Sequence, residues 1–242
     1  MEEMGKIDPY YGVLSHEKYR SEHLSRDNRE EFFTSGDDHV QRVMGTIRAH
    51  IDPGFAPAMS VDFGCGTGRL VIPLSRISGR VAGIDVSDAM LAETRKNCES
   101  RGVDNFLLAR SIAELLTVVP SYDFVHSYIV IQHIPRRRGM QIVEHLIANL
   151  ASGGVMALHL TIYRNASWHR RAVTWARHNV PLAHELLQLM AGRAVSEPPM
   201  QMNSYDFGEV GRLLLKHGVD TSIVQFTDHE GHVGAMIYGR KS

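Results

Sequence analysis

Cysteine is nearly absent: Cys65 and Cys98 are the only two in 242 residues, too few for a disulfide framework and not in a paired metal-ligand spacing. Disulfide-stapled classes are thereby excluded, and a reducing, cytoplasmic setting is expected. Long apolar runs are absent as well. No stretch approaches the ~20 apolar residues that cross a bilayer, and no charged-then-apolar leader opens the chain, so neither export nor membrane insertion is expected. Excess charge of one sign is missing too, since 26 Lys and Arg face 27 Asp and Glu, a formal net charge of −1. No global basic field pulls the chain toward nucleic acid or an anionic surface, which disfavours a polyanionic partner. Internal repeats and low-complexity tracts are also lacking, which sets aside solenoids and linkers.

What the chain has is ordinary globular material, 43% hydrophobic and 22% charged, in a length that suits one α/β domain with an insertion. Residues 1–55 are polar and helical in flavour, with Tyr10, Tyr11, Tyr19, Phe32 and Phe33 as aromatic anchors, and form a predicted N-terminal helical cap. From Met59 onward short apolar or β-branched runs alternate with amphipathic stretches, the pattern of βα units on a parallel sheet. Strands are predicted at 59–63, 80–85, 104–109, 122–128 and 153–160, with helices at 68–77, 88–100 and 136–150. Asp88 reads as a helix N-cap and Pro135 as a first-turn residue, while Ser152-Gly153-Gly154 reads as the turn into the fifth strand. Residues 161–203 break the alternation with Trp168, Trp175, a helical run around Leu182–Met190 and Pro198-Pro199. That insertion is expected to serve as a lid or a homodimer surface. A helix at 206–217 and two antiparallel strands at 220–227 and 232–240 close a domain expected to span 56–242.

The densest chemical signal is Val61-Asp62-Phe63-Gly64-Cys65-Gly66-Thr67-Gly68, which joins an apolar strand to a helix. In a doubly wound sheet that position presents backbone amides to a ligand, and glycine permits positive φ and close approach. Arg69 stands where a dinucleotide fingerprint wants its third glycine, and no Gly-Lys-Ser/Thr phosphate loop occurs. The turn resembles the first motif of the class I S-adenosylmethionine-dependent methyltransferases, which carries an acid two places before a triple-glycine turn. Val81-Ala82-Gly83-Ile84-Asp85-Val86-Ser87 is similar to that family's second motif, placing Asp85 seventeen positions after Gly68 as the ribose-binding carboxylate, whose two oxygens suit two hydroxyls. Tyr122-Asp123-Phe124-Val125-His126-Ser127-Tyr128 resembles the fourth-strand motif that ends beside the transferred methyl. The resemblance implies S-adenosylmethionine as cofactor, held by Asp62, Gly64, Gly66, Gly68, Asp85, Val86, Ser111, Ile112 and Ser127. It also implies a seven-stranded, mostly parallel, doubly wound sheet in the order 3-2-1-4-5-7-6 with the last strand antiparallel. One departure stands out, because the third strand leads into Arg110-Ser111-Ile112-Ala113-Glu114 and lacks the family's usual Asp near the adenine amine.

Ligands of open α/β sheets bind outside the carboxyl ends of the strands, and histidines recur there. Gln132-His133-Ile134-Pro135 follows strand four, His159 closes strand five, and Asp228-His229-Glu230-Gly231-His232 joins the last two strands. Methyl transfer to a hydroxyl needs the acceptor aligned and its proton removed, a task suited to histidine near neutral pH. His133 is the first candidate base, with a helix-start packing role as its alternative, and His229 and His159 are further catalytic candidates. His229 and His232 equally suit a hairpin turn, and His159 between Leu158 and Leu160 suits a hydrogen-bonded core histidine. These histidines with Asp228 and Glu230 also offer imidazole and carboxylate to a divalent metal, but no helical ligand spacing supports one and no metal is expected. Arg136-Arg137-Arg138 reads as a solvated helix start. Asp8-Pro9-Tyr10-Tyr11-Gly12-Val13-Leu14 and Phe32-Phe33-Thr34-Ser35-Gly36 look like the cap of a bacterial methyltransferase group associated with glycan and natural-product tailoring. The expected activity is O-methylation of a sugar, glycan or related small metabolite. N-methylation of a small amine and a non-catalytic cofactor-binding role remain open.

Overall fold

A computed structural model describes residues 2–164, 202–229 and 231–242. Among these residues seven strands form one sheet in the order β3-β2-β1-β4-β5-β7-β6. They are β1 (Met59–Phe63), β2 (Arg80–Ile84), β3 (Phe106–Ala109), β4 (Tyr122–Ser127), β5 (Leu150–Arg164), β6 (Thr221–His229) and β7 (His232–Arg240). β3, β2, β1, β4 and β5 run parallel, and β7 is antiparallel to both β5 and β6. The expected strand order is therefore observed, and β6 runs in the same direction as β5.

The central strands are apolar on both faces, as strands covered twice must be, and two separate cores result. One face packs Ile112 and Leu115 of α6 (Ile112–Leu116), Val143, Leu146 and Ile147 of α7 (Arg136–Ala148) and Val210 and Leu214 of α8 (Phe207–Lys216). The other face packs the cap and the first two helices of the sheet. Its elements are α1 (Glu2–Ile7), α2 (Pro9–Val13), α3 (Arg26–His50), α4 (Val71–Ile77) and α5 (Asp88–Ser100). In α3 the buried residues Phe32, Phe33, Gly36, His39, Val40, Val43, Met44 and Ile47 recur at three- and four-residue spacing and lay one stripe on the sheet. The helix starts where the Ser25 hydroxyl accepts the Asn28 amide at 3.1 Å.

Sequence and structure differ at several element ends. Ser87 rather than Asp88 caps α5, because its hydroxyl accepts the Met90 amide at 3.2 Å. Pro135 occupies the cap position of α7, one residue before its expected place. Ser152-Gly153-Gly154 lies inside β5: Leu150 already pairs with Tyr122, and the chain then shifts register at Gly153, whose φ is +76°. Residues 161–164 continue β5 against β7 instead of opening the insertion. Trp168, Trp175, the Leu182–Met190 run and Pro198-Pro199 lie outside the described residues.

Candidate functional site

The turn from β1 to α4 carries three left-handed glycines, Gly64 at φ +80°, Gly66 at +54° and Gly68 at +85°. Space forbids a side chain as much as the backbone does. A Cβ on Gly64 would stand 2.3 Å from a Val130 methyl, and one on Gly66 would stand 2.6 Å from a Val13 methyl. The amides of Gly64 and Cys65 both donate to the Ile84 carbonyl at the end of β2, at 2.7 and 3.0 Å. This brings the turn beside Asp85, the next residue, whose Oδ2 accepts the Gly66 amide and whose Oδ1 accepts the Ser87 amide, each at 3.0 Å. Burial pushes the Asp85 carboxyl up from its ordinary value, while the two amides pull it down.

The far side of the turn is held by α5. Thr94 donates its hydroxyl to the Gly66 carbonyl at 2.6 Å, and Asn97 donates its amide to the Thr67 carbonyl at 2.9 Å. The cap in turn holds Asn97, since the Tyr10 hydroxyl and an Arg29 guanidinium both reach its Oδ1, at 3.0 and 2.5 Å. A second clamp comes from α3. Gly36 lies so close that a Cβ there would meet the Arg69 carbonyl oxygen at 2.2 Å, and Ser35 receives the Arg69 guanidinium at 3.3 Å. The two aromatic cap segments thus converge on the glycine turn from opposite sides.

Asp62 is 2% exposed and turns beneath α3. Its Oδ1 lies 2.9 Å from Nδ1 of His126, and its Oδ2 is buried without a partner. The Val86 side chain, 62% exposed, follows Asp85 at the open edge of the turn, and Ile112 is nearly buried at the start of α6. Ser111 caps that helix by accepting the Glu114 amide at 3.1 Å. Ser127 is buried and donates to the Phe63 carbonyl at 2.9 Å, tying the ends of β1 and β4 together. The glycines and Asp85 therefore form one cradle, with Val86 exposed beside it, while Ile112 belongs to the core under α6. Asp62 and Ser127 lie behind the cradle.

Beyond β4 the backbone is strained, because Ile129 adopts φ +59°, a left-handed conformation rarely open to a β-branched residue. A 3-10 turn, Ile131–His133, follows and leaves His133 partly exposed at the carboxyl end of β4. This turn is pinned from the end of the chain: the Tyr205 hydroxyl lies 2.8 Å from the carbonyls of both Ile131 and Ile134, and the Asn203 amide donates to the Gln132 carbonyl at 2.7 Å. Thr161 of β5 adds a 2.8 Å bond to Gln132 Oε1. Tyr205 reaches in because Gly139 has no side chain, since a Cβ there would stand 1.9 Å from its hydroxyl oxygen.

His159 is buried, with Nε2 2.8 Å from the Thr227 hydroxyl across β7 and its ring 5.2 Å from that of Tyr128. His229 ends β6 opposite His232. That puts it on the same rim as His133 but three strand steps from β4, roughly 14 Å along the sheet. Arg136 is exposed and bonds Glu209 at 2.6 Å. Among the described residues no three His, Cys, Asp or Glu side chains gather as a metal set would. Two polar groups central to this geometry are not among the site candidates: His39 carries no local motif, and His126 lies inside the 122–128 segment without being singled out. Their only sequence signal is a histidine on the inward stripe of α3 and another on the alternating face of β4.

Residues 61–154 match a family model described as a methyltransferase domain. The chain is 31% identical over 119 residues to the chloroplastic magnesium protoporphyrin IX methyltransferase of Arabidopsis thaliana, covering 49% of this chain and 38% of that protein. It is 33% identical over 116 residues to the ubiquinone biosynthesis O-methyltransferase of Paramagnetospirillum magneticum, covering 48% of this chain and 43% of that one. The chain thus spans less than half the length of these curated relatives. Among solved structures, the magnesium protoporphyrin IX methyltransferase of Synechocystis with bound SAH superposes with a TM-score of 0.60 at 17% identity, covering 98% of each chain.

Proposed function

We infer that this chain, a class I S-adenosylmethionine-dependent methyltransferase, places a methyl group on an oxygen of a small metabolite, with His133 as the proton acceptor. The observation that carries the reading is the Gly64–Gly68 cradle closed by the Asp85 carboxylate. Its residues fit the cofactor. Each Asp85 oxygen spends one lone pair on a backbone amide and keeps another for a ribose hydroxyl, and the left-handed glycines leave no side chain between backbone and ligand. Val86 offers an exposed apolar side chain to a purine, and Asp62 Oδ2 is a buried acceptor to which no described residue donates. The bound cofactor supplies an electrophilic methyl group on a sulfonium.

The protein's own part is positioning and proton handling. Val13 from the cap and Val130 from the β4 loop close on the turn and exclude water from it. His133, partly exposed on a turn fixed by Tyr205, Asn203 and Thr161, takes the proton of an acceptor hydroxyl. The similarity to the relatives above, one of them an O-methyltransferase, supports an oxygen acceptor. Sugars and glycans stay within the proposal as hydroxyl-rich members of that class. His159, buried on β5 with its Nε2 against Thr227, takes the part of a hydrogen-bonded core histidine, and His229 stands farther along the rim at the end of β6.

The test is direct. Purified protein with S-adenosylmethionine is incubated with a panel of hydroxylated metabolites, oligosaccharides and small amines, and mass spectrometry looks for the gain of one CH2. His133→Ala should abolish turnover of the acceptor that responds while leaving cofactor affinity intact. Unchanged turnover removes His133 from the mechanism, and methylation confined to amines overturns the oxygen reading. A chelator added to the same assay, followed by magnesium, manganese or zinc, checks the expected independence from metal. A cytoplasmic location, supported by two buried free thiols, and a homodimer belong to the same proposal, the latter tested by mass in solution.

A further inference from the structure

Where α3 crosses the carboxyl end of the sheet, the contact is polar although both sides are buried. Three side chains from three separate elements stand in line there. Asp62 of β1 meets His126 of β4 at 2.9 Å, and His126 Nε2 meets His39 Nε2 of α3 at 3.0 Å. The exposures are 2%, 0% and 7%. A carboxylate can only accept, so Nδ1 of His126 carries the hydrogen. In a neutral His126 ring Nε2 is then an acceptor, and His39 fills it by donating from its own Nε2. Burial, followed by the neighbouring His126 and Arg69, holds the His39 pKa down to about 2, so this ring is neutral. Its other face lies on Tyr128, ring centroids 4.1 Å apart, just past the end of β4.

Such a row is a costly way to join a helix to a sheet. Buried polar groups replaced together by apolar ones of similar shape are often neutral or stabilising, so packing alone does not call for them. What the row delivers is a fixed carboxylate: Oδ1 accepts from His126, and Oδ2 is left as a buried acceptor two residues before Gly64.

We propose that His39 and His126 are positioning residues that orient Asp62, presenting its Oδ2 to the ammonium of the cofactor's amino-acid end and making the seating of α3 a condition of tight cofactor binding. This rests on the cofactor reading above. A cation brought to Oδ2 satisfies the Asp62 oxygen to which no described residue donates. The relay also ties the cofactor acid to Tyr128 on the acceptor side through a single helix.

Calorimetry with S-adenosylmethionine and S-adenosylhomocysteine, paired with thermal unfolding, tests it. His39→Leu breaks the row, and its affinity should fall about tenfold, the equivalent of one net hydrogen bond to a charged network, while the His126 Nε2 left buried without a donor lowers the thermal midpoint by a few degrees. His39→Gln keeps an amide donor at similar reach and should bind within about threefold of the wild type. If His39→Leu does not fold, His39→Asn, too short to reach His126, takes its place with the same expected weakening. Equal affinity in wild type and the Leu or Asn variant overturns the proposal, as does a Gln variant as weak as either. Failure of the wild type itself to bind either nucleoside overturns the cofactor reading and this inference with it, whereas wild-type binding that His39→Leu leaves untouched overturns this inference alone.

Discussion

Tyr205→Phe deletes one oxygen and tests whether the turn bearing His133 is held from the distant end of the chain. The hydroxyl lies 2.8 Å from the carbonyls of Ile131 and Ile134 in a site where the tyrosine is 1% exposed. Ile131 keeps a donor, the Ile134 amide at 2.9 Å, whereas the Ile134 carbonyl takes its bond from Tyr205 itself. The loss is thus one buried hydrogen bond plus a desolvated carbonyl, about 2 kcal/mol in all. For a chain of this size that lowers the thermal midpoint by roughly 4–8 °C. Gly139→Ala attacks the same contact from the other side, since its Cβ would stand 1.9 Å from the hydroxyl oxygen and 2.7 Å from the ring carbon that bears it. Once that methyl has expelled the hydroxyl, removing the oxygen costs little more, so the double variant should fall short of the additive sum by about 1–2 kcal/mol. Urea unfolding of the four proteins gives the cycle. Hydrogen exchange adds a local readout: the His133 amide, bonded to Val130 O at 3.0 Å, should lose protection in Tyr205→Phe while the Gly64 and Cys65 amides do not. A Tyr205→Phe protein within about 0.5 kcal/mol of wild type, or an additive cycle, refutes the reasoning.

Three further outcomes follow from the site. Asp85→Ala should abolish cofactor binding in calorimetry, and in the wild type affinity should decline on acidification at a pH above the ordinary aspartate value of about 3.9. The sign is set by the raised carboxyl: the free protein's stability from this group is fully present below the unfolded value and is lost as pH rises through the folded one, while binding needs the charged form. Constant affinity from neutrality down to about pH 4 contradicts this. At Ile129, with φ +59°, glycine should outrank alanine by about 1 kcal/mol in urea unfolding, reversing their usual order, and an alanine variant as stable as the glycine variant removes the strain argument. Gly64→Ala combines a left-handed cost of about 1–2 kcal/mol with the Val130 collision, so it should lower the unfolding midpoint and eliminate binding even when Val130→Ala is added.

The parts of the site that can be read from sequence are those set by local backbone chemistry. Gly64, Gly66 and Gly68 stand where positive φ is required, and Asp85 directly follows a five-residue strand whose apolar pattern marks it, so both halves of the cradle are legible within one βαβ stretch. Asp62 is legible as an acid before the turn, but its orientation is not. That depends on His126, 64 positions away, and on His39, which lies 87 positions from His126. Each histidine looks like an isolated residue on an apolar face until the helix is laid on the sheet. The capping error at Asp88 has a different source: Ser87 and Asp88 are both good caps, and only the extended backbone at Ser87, with ψ 117°, separates them. Ser152-Gly153-Gly154 reads as a break because glycine pairs usually are, yet here the left-handed Gly153 absorbs a register shift and the strand continues on either side.

The dependence of the His133 turn on Tyr205 also sets an order of assembly during synthesis. All residues of the glycine cradle and its α5 clamp leave the ribosome before residue 98, and the cap that braces them precedes the first strand. The Ile131–His133 turn, by contrast, emerges more than seventy residues ahead of the tyrosine that fastens it. A nascent chain can therefore complete the glycine turn and its α5 clamp while the Ile131–His133 turn is still unanchored, and that turn is fastened only after residue 205 has been made.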